Sequence, residues 1–289
     1  MFYDALIAPF AEFEFMRRAL VGVFALALGG APVGVFLMLR RMSLTGDAMA
    51  HAILPGAALG FLVAGLDLFA MTLGGIVAGV TVAVGAGFIA RATQLKEDAS
   101  LAAFYLVSLA LGVTIVSLKG SNVDLLHILF GTVLALDNAT LYLLSGIATV
   151  TLLVLAVSWR PLVLECVDPL FLRSVSRAGA PVHFAFLTLM VINLVGGFHA
   201  LGTLLAVGLM MLPAATARFW ATDITRMIAI AIGAAILSGI VGLLVSYHAG
   251  VPAGPAIILT AGVVYAVSVV LGPVGGLRRR LVPGRHLEA

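Results

Sequence analysis

Long apolar runs follow one another along almost the whole chain, and they constrain its fold more than any other feature. Hydrophobic residues make up 62% of the 289 residues, whereas charged residues make up 10%. So little charge cannot cover the surface of a water-soluble domain. The runs approach the roughly 20 residues that a helix needs to cross a bilayer, and they do not alternate as the strands of a membrane β-barrel do. The sequence therefore predicts an all-α polytopic membrane protein.

Hydropathy divides the chain into about nine predicted spans, and a count of eight or ten stays open. We place the spans at residues 16–39, 47–65, 68–90, 100–118, 139–158, 182–195, 200–217, 227–248 and 253–271. The sixth span is short, and residues 196–199 separate it from the seventh, which predicts a broken or tightly turned pair of helices there. The spans form one transmembrane domain over residues 1–289, and we find no soluble domain and no internal repeat.

Lysine and arginine are distributed unevenly between the predicted loops. If the N-terminus is outside the cell, only Arg17, Arg18 and Lys119 of the 16 basic residues fall on the outer side. Membrane proteins keep their basic loops on the cytoplasmic side, so we predict an outer N-terminus and a cytoplasmic C-terminus. Because the basic residues lie at helix ends, the basic isoelectric point does not indicate a nucleic-acid partner.

Two ionisable residues, Asp47 and His51, lie in the second predicted span. Residues four apart share one face of a helix, and an ionisable residue at membrane depth marks an ion or proton path by default. A carboxylate and an imidazole are both good ligands for divalent transition metals. Pro55 and Gly56 can interrupt the helix just beyond and free backbone carbonyls where they line a cavity. The pair predicts a metal path; the alternative is a neutralised pair that fixes helix packing.

The longest predicted cytoplasmic segment comprises residues 159–181, and part of it carries helix signals. Asp168 can cap a helix, and Pro169 is tolerated in its first turn. Gly179 is a typical helix stop. These residues predict a short amphipathic helix over residues 168–179, which is either a cap on the loop or a docking helix for a peripheral subunit.

Other candidate residues allow two interpretations each. His199, near the outer end of a span, is either a further metal contact or an interfacial histidine. Asp124 and His127 either cap a short helix or contact an outer protein. Cys166 is the single cysteine, which excludes an internal disulfide and a cysteine-based metal site within one chain.

Four passages of the chain resemble the membrane permease subunits of ATP-binding-cassette importers for zinc, manganese and iron. They read RRMSLTGDAMAHAILPG (40–56), NVDLLHILFG (122–131), DPLFLRSVSRAG (168–179) and ALGTLLAVGLMMLPAATAR (200–218). The resemblance covers residues 16–271. It implies a type II importer permease fold in the bacterial cytoplasmic (inner) membrane, working as a homodimer with two cytoplasmic ATPase subunits and an extracytoplasmic metal-binding protein.

The resemblance also implies roles for individual residues. Metal transit maps onto Asp47 and His51, with His199 as a candidate third contact outside the commonest pattern. ATPase docking maps onto Asp168, Pro169, Arg173, Arg177 and Gly179. One Asp and one His are too few for a closed zinc site, but a two-fold dimer brings two such pairs to one axis.

We expect the cargo to be a divalent metal ion, with zinc favoured over manganese or ferrous iron, and no permanently bound cofactor. The sequence shows no phosphate-binding glycine loop followed by Lys and Ser or Thr, so we expect no enzymatic activity in this chain. The alternative function is a secondary, ion-coupled metal transporter without an ATPase partner. Such a transporter is expected to contain inverted repeats.

Overall fold

The computed structural model describes residues 3, 6–65, 67–118 and 136–277, and regular structure in these ranges is entirely helical. We number the helices in chain order. The first six are α1 (Ala8–Glu12), α2 (Glu14–Leu39), α3 (Thr45–Ala52), α4 (Leu54–Ala64), α5 (Leu68–Ala92) and α6 (Glu97–Leu118). The others are α7 (Asn138–Val157), α8 (Trp159–Val167), α9 (Pro169–Val175), α10 (Gly179–Leu201), α11 (Thr203–Arg218), α12 (Ile224–Ala249) and α13 (Ala253–Leu271).

Eight spans in the described ranges are long and apolar enough to cross a membrane, with α3 and α4 together counting as one. This confirms the all-α membrane architecture. The seventh predicted span, residues 200–217, corresponds to α11, which has 16 residues and is shorter than a typical bilayer-spanning helix. The passage 122–131, with Asp124 and His127, lies outside the described residues.

The predicted break at residues 196–199 is wrong, because α10 continues through them to Leu201. Gly197 packs closely against α11, where an added Cβ would lie 2.6 Å from the Cβ of Ala206. The chain turns instead at Gly202, whose φ is 85°, a conformation that favours glycine because it has no Cβ. The glycines at 196 and 197 thus serve helix packing, and the turn lies five residues after Gly197.

Four aspartates begin helices in the described ranges. The side chain of each accepts a hydrogen bond from the backbone N–H three residues later. They are Asp67 before α5, Asp137 before α7, Asp168 before α9 and Asp223 before α12. Such a cap satisfies an otherwise unpaired N–H and stabilises a helix by about 1 kcal/mol. The predicted start of the cytoplasmic helix at Asp168 is confirmed.

Helix α2 lies at the centre of the fold and packs against α7, α10, α11 and α12. Glycines on α2 permit the closest of these approaches. A Cβ added at Gly34 would collide with the carbonyl oxygen of Met210 on α11. Close backbone approach at small residues is how helices associate in lipid, where there is no hydrophobic driving force between them.

Substituting Gly34 by Ala is therefore expected to destabilise the fold by at least about 1–3 kcal/mol, because the obstructing atoms belong to the backbone and cannot move aside cheaply. Gly262→Ala on α13 is the matched control, since a Cβ there meets no atom within 4 Å. The measurement is thermal unfolding of the detergent-solubilised protein. A Gly34→Ala protein that unfolds at the temperature of the Gly262→Ala protein would contradict the packing argument.

The basic helix ends gather at one end of the bundle. Arg40 at the end of α2 and Arg91 at the end of α5 both approach Glu165 on α8. Arg18, near the start of α2, instead donates to the carbonyl oxygen of Leu136 at the opposite end. The basic cluster therefore lies on the side that the sequence predicts to be cytoplasmic.

The orientation itself stays a prediction. A fluorescent reporter that matures only in the cytoplasm, fused after Arg280, is expected to give signal, because the arginines after the last span remain inside. The same reporter inserted after Gly65, at the opposite end of the bundle, is expected to stay dark. The reverse pattern of signals would overturn the orientation.

Candidate functional site

Asp47 and His51 both lie on α3, and one face of this helix points away from the other described helices. The buried residues of α3 are Thr45, Gly46, Met49, Ala50 and Ala52, and the helix packs against α5, α6, α10 and α11. The outward face carries Leu44 and Asp47, which are exposed, and Ala48 and His51, which are half-buried. The structure therefore places both predicted metal ligands on one outward stripe.

Among the described residues, the side chains of Asp47 and His51 make no hydrogen bond and no ion pair. No three His, Cys, Asp or Glu residues in these ranges come close enough to hold a metal ion. A pair that served packing alone would be buried and hydrogen-bonded, so the exposure of Asp47 argues against that alternative. One chain supplies an incomplete ligand set.

The predicted helix interruption is present immediately beyond His51. Pro55, in the first turn of α4, has no N–H to donate, and α3 and α4 are separated at Ile53. Ser108 of α6 donates a hydrogen bond of 2.8 Å to the carbonyl oxygen of Ala52. Gly112 lets α6 approach, since a Cβ there would lie 3.1 Å from the nitrogen of Pro55. Because Ser108 lies near the middle of α6, His51 is level with the middle of that span.

His199 belongs to α10, four residues beyond Val195. Val195 lies at the same level as Ile53, the residue between α3 and α4. Both are close to Gly75 of α5, where an added Cβ would lie 3.3 Å from Val195 and 4.0 Å from Ile53. His199 is then about 6 Å further along α10, towards the end opposite the basic cluster. Its role as a metal contact stays a prediction, and its position fits a second station on a path better than a ligand to the same ion.

The helix predicted over residues 168–179 is shorter than expected. Asp168 and Pro169 begin α9 as expected, but the helix ends at Val175, because Ser176 is extended and its hydroxyl accepts a hydrogen bond from the N–H of Ala178. The prediction that Gly179 stops this helix is wrong, since it is the first residue of α10.

Two further residues of the predicted docking set have clear places in the chain. Arg173 lies within α9, and Arg177 is exposed in the turn towards α10. The predicted set thus divides between a capped helix, the following turn and the start of the next span.

An exposed apolar surface accompanies α9. Val167, Phe171 and Val175 follow one another at intervals of four residues and are 74%, 51% and 69% exposed, while Leu172 is buried at 3%. We name these three exposed side chains the docking stripe. The segment lies outside the eight candidate spans, and exposed apolar groups of this kind can mark interaction sites.

Comparison with known proteins identifies the family. The family model described as "ABC 3 transport family" matches residues 12–272. The chain belongs to this family. It is 32% identical over 262 residues to the "Manganese import system permease protein ScaB" of Streptococcus parasanguinis, covering 91% of this chain and 92% of that protein. It is 28% identical over 284 residues to the "Chelated iron transport system membrane protein YfeD" of Yersinia pestis, covering 98% and 94%.

The fold of this ABC 3 family member also matches a solved structure, described as "PsaBC from Streptococcus pneumoniae in complex with Fab". The TM-score is 0.82 at 30% identity, covering 95% of this chain and 98% of that one. These similarities confirm the family resemblance read from the four sequence passages. The two similar permeases are named for manganese and for iron, so they give no support to the predicted preference for zinc.

The ABC 3 family member contains a buried charge cluster that the sequence analysis missed. Glu165 on α8 is 4% exposed; its Oε1 lies 2.8 Å from Nη2 of Arg91 and 3.8 Å from Nη2 of Arg40. Arg40 also contacts the ring of His183 on α10. The sequence contains a pattern that could have indicated this cluster. His183 is an ionisable residue within an apolar run, and Glu165 lies between the apolar residues Leu164 and Cys166.

Cys166 lies beside this cluster and is half-buried. Burial raises the pKa of its thiol to about 11, which disfavours the reactive thiolate form.

Proposed function

We propose that this chain is the permease subunit of an ATP-driven importer that carries manganese or ferrous iron into the cytoplasm. The outward face of α3 carries the proposal, because Asp47 and His51 combine a carboxylate with an imidazole and have no partner within the described chain. Carboxylates suit Mn²⁺, and imidazole suits iron. The names of the similar permeases favour these two metals over zinc.

The same face supports a homodimer. An exposed carboxylate within a membrane span cannot face hydrocarbon at acceptable cost, so we propose that protein covers this face of α3. A second copy related by a two-fold axis would place its own Asp47 and His51 opposite the first pair. The four side chains would form a site that assembles and opens as the two copies move. A transport site must bind strongly enough to admit the ion and weakly enough to release it.

The energy source would lie on another chain. The sequence carries no phosphate-binding loop of the Walker type, and residues 159–181 present the docking stripe on the predicted cytoplasmic side. We propose that a cytoplasmic ATPase subunit binds this segment and that an extracytoplasmic protein delivers the metal.

The deciding experiment is uptake of Mn²⁺, Fe²⁺ and Zn²⁺ by cells that lack their own importers and express the complete transporter. We expect manganese or iron uptake that stops when the ATPase subunit loses its phosphate-binding lysine. Uptake that persists without a working ATPase and collapses with the proton gradient would establish a secondary transporter. Uptake restricted to zinc would overturn the proposed cargo.

A further inference from the structure

Four helices meet at the buried cluster around Glu165. Glu165 comes from α8, and two arginines approach its Oε1, Arg91 from the end of α5 and Arg40 from the end of α2. Arg40 continues the network to His183 of α10. The arginines also lie over aromatic rings, with the guanidinium carbon of Arg40 5.1 Å from the ring centre of Phe186. The cluster thus joins the cytoplasmic segment to three long helices through charged groups.

The hydrogen bonding of this cluster is incomplete in the present arrangement. Nη1 of Arg40 and Oε2 of Glu165 are buried and have no hydrogen-bond partner in the described structure. A buried polar atom without a partner is costly, so this arrangement does not lock the helices in place. A cleft of about 560 Å³ borders the same side chains and leaves room for them to rearrange. A small shift of α8 could pair the two atoms, which is the behaviour expected of a two-state contact.

The cluster lies between the docking segment and the metal-binding helix. On one side, α8 leads through Asp168 directly into α9 and the docking stripe. On the other side, Arg40 caps the end of α2, and only residues 41–44 separate it from α3. Within that connection, Arg41 has a φ of 61°, a strained conformation for a non-glycine residue that is typical of switch regions. A displacement of Arg40 would therefore act on the start of α3.

We propose that Glu165 couples the ATPase to the metal site. When the docked α9 moves, Glu165 displaces Arg40 and Arg91 with it. The displacement of Arg40 then changes the orientation of α3, the helix that carries Asp47 and His51. Glu165 is a positioning residue, because it acts through the two arginines and does not touch the cargo. The inference rests on the proposed function, in which α9 binds the ATPase and α3 binds the metal.

The first test replaces Glu165 by Gln, which keeps the shape and removes the charge that holds the arginines. In the complete transporter reconstituted in liposomes, we expect ATP hydrolysis to persist while metal transported per ATP falls about tenfold or more, the range of typical coupling between sites. Arg226→Gln is the matched control, since Arg226 lies exposed at the start of α12, outside residues 159–181, and is expected to leave that ratio unchanged. A Glu165→Gln transporter with the parent ratio would overturn the proposal.

The second test separates coupling from structure by replacing Glu165, Arg40 and Arg91 together by Met, so that none of the three charges stays buried without its partner. Exchanging a buried charged triad for apolar residues of similar volume is often neutral for stability, so we expect assembly with the ATPase to be retained and the transport ratio to stay low. A purely structural cluster would instead transport normally once its packing is restored, and that result would overturn the proposal. Failure of both variants to assemble would likewise show a structural requirement and overturn it. Failure of the proposed function looks different, because Asp47→Asn would then still transport metal.

Discussion

Asp47→Asn is expected to reduce metal uptake by at least about a hundredfold while leaving the permease inserted and bound to its ATPase. Changing a group that only supports a metal ligand already costs about 10–100-fold in affinity or activity, and Asp47 is proposed to be a ligand itself. Asn keeps the shape and one carbonyl oxygen but loses the negative charge. In a symmetric dimer the single substitution removes both carboxylates from the site at once.

Because Asp47 is exposed, this test distinguishes a loss of transport from a loss of folding. Because no described residue pairs with the carboxylate, removing its charge leaves no buried partner behind within one chain. Asp67→Asn is the matched control, since Asp67 caps α5 and Asn caps a helix as well as Asp does. Uptake is measured with purified complexes in liposomes at equal protein. Normal uptake by Asp47→Asn would remove Asp47 from the site, and loss of assembled protein would favour a structural pair.

Phe171→Ala is expected to weaken ATPase binding by on the order of 2 kcal/mol, or about thirtyfold in affinity. Large aromatic side chains at the centre of an interface contribute most of its binding energy, and Phe171 is the aromatic member of the docking stripe. Its backbone N–H donates a hydrogen bond of 2.9 Å to Oδ1 of Asp168, so the backbone that carries the ring is held in a helical turn. Preorganisation of this kind reduces the entropy lost on binding.

The control for this prediction is the same substitution at Phe69. That ring is 74% exposed and lies at the start of α5, at the end opposite Arg91. Phe69→Ala is expected to leave the amount of ATPase that co-purifies with the permease unchanged, whereas Phe171→Ala is expected to lower it sharply. Equal ATPase recovery from the two variants would count against the docking stripe as the binding surface.

Several features follow from local sequence alone. The apolar runs predicted the helical membrane fold, because backbone groups in hydrocarbon must be satisfied within the segment. The four-residue spacing predicted that Asp47 and His51 share a face, because helical geometry repeats every 3.6 residues. Asp168 and Pro169 predicted the start of α9, because capping depends only on neighbouring backbone groups.

Other features depended on which helices become neighbours. The break assigned to residues 196–199 was displaced to Gly202, because glycine permits both a turn and a close helix contact, and the local sequence does not distinguish the two. In the same way, Gly179 begins a helix where a helix end was expected. The ligand chemistry alone does not separate manganese, iron and zinc, and the names of the similar permeases are the reason that manganese or iron is the proposed cargo.

The sequence by itself determined that this chain spans a membrane as helices and that one of them carries a carboxylate and an imidazole on one face, because both properties depend on residues close together in the chain. Only the tertiary structure decided that this face points outward from the chain, and that Glu165 meets Arg40 and Arg91. Glu165 is 125 residues from Arg40 and 74 from Arg91 along the chain. Helices far apart in sequence become neighbours through side-chain packing, which no local pattern records.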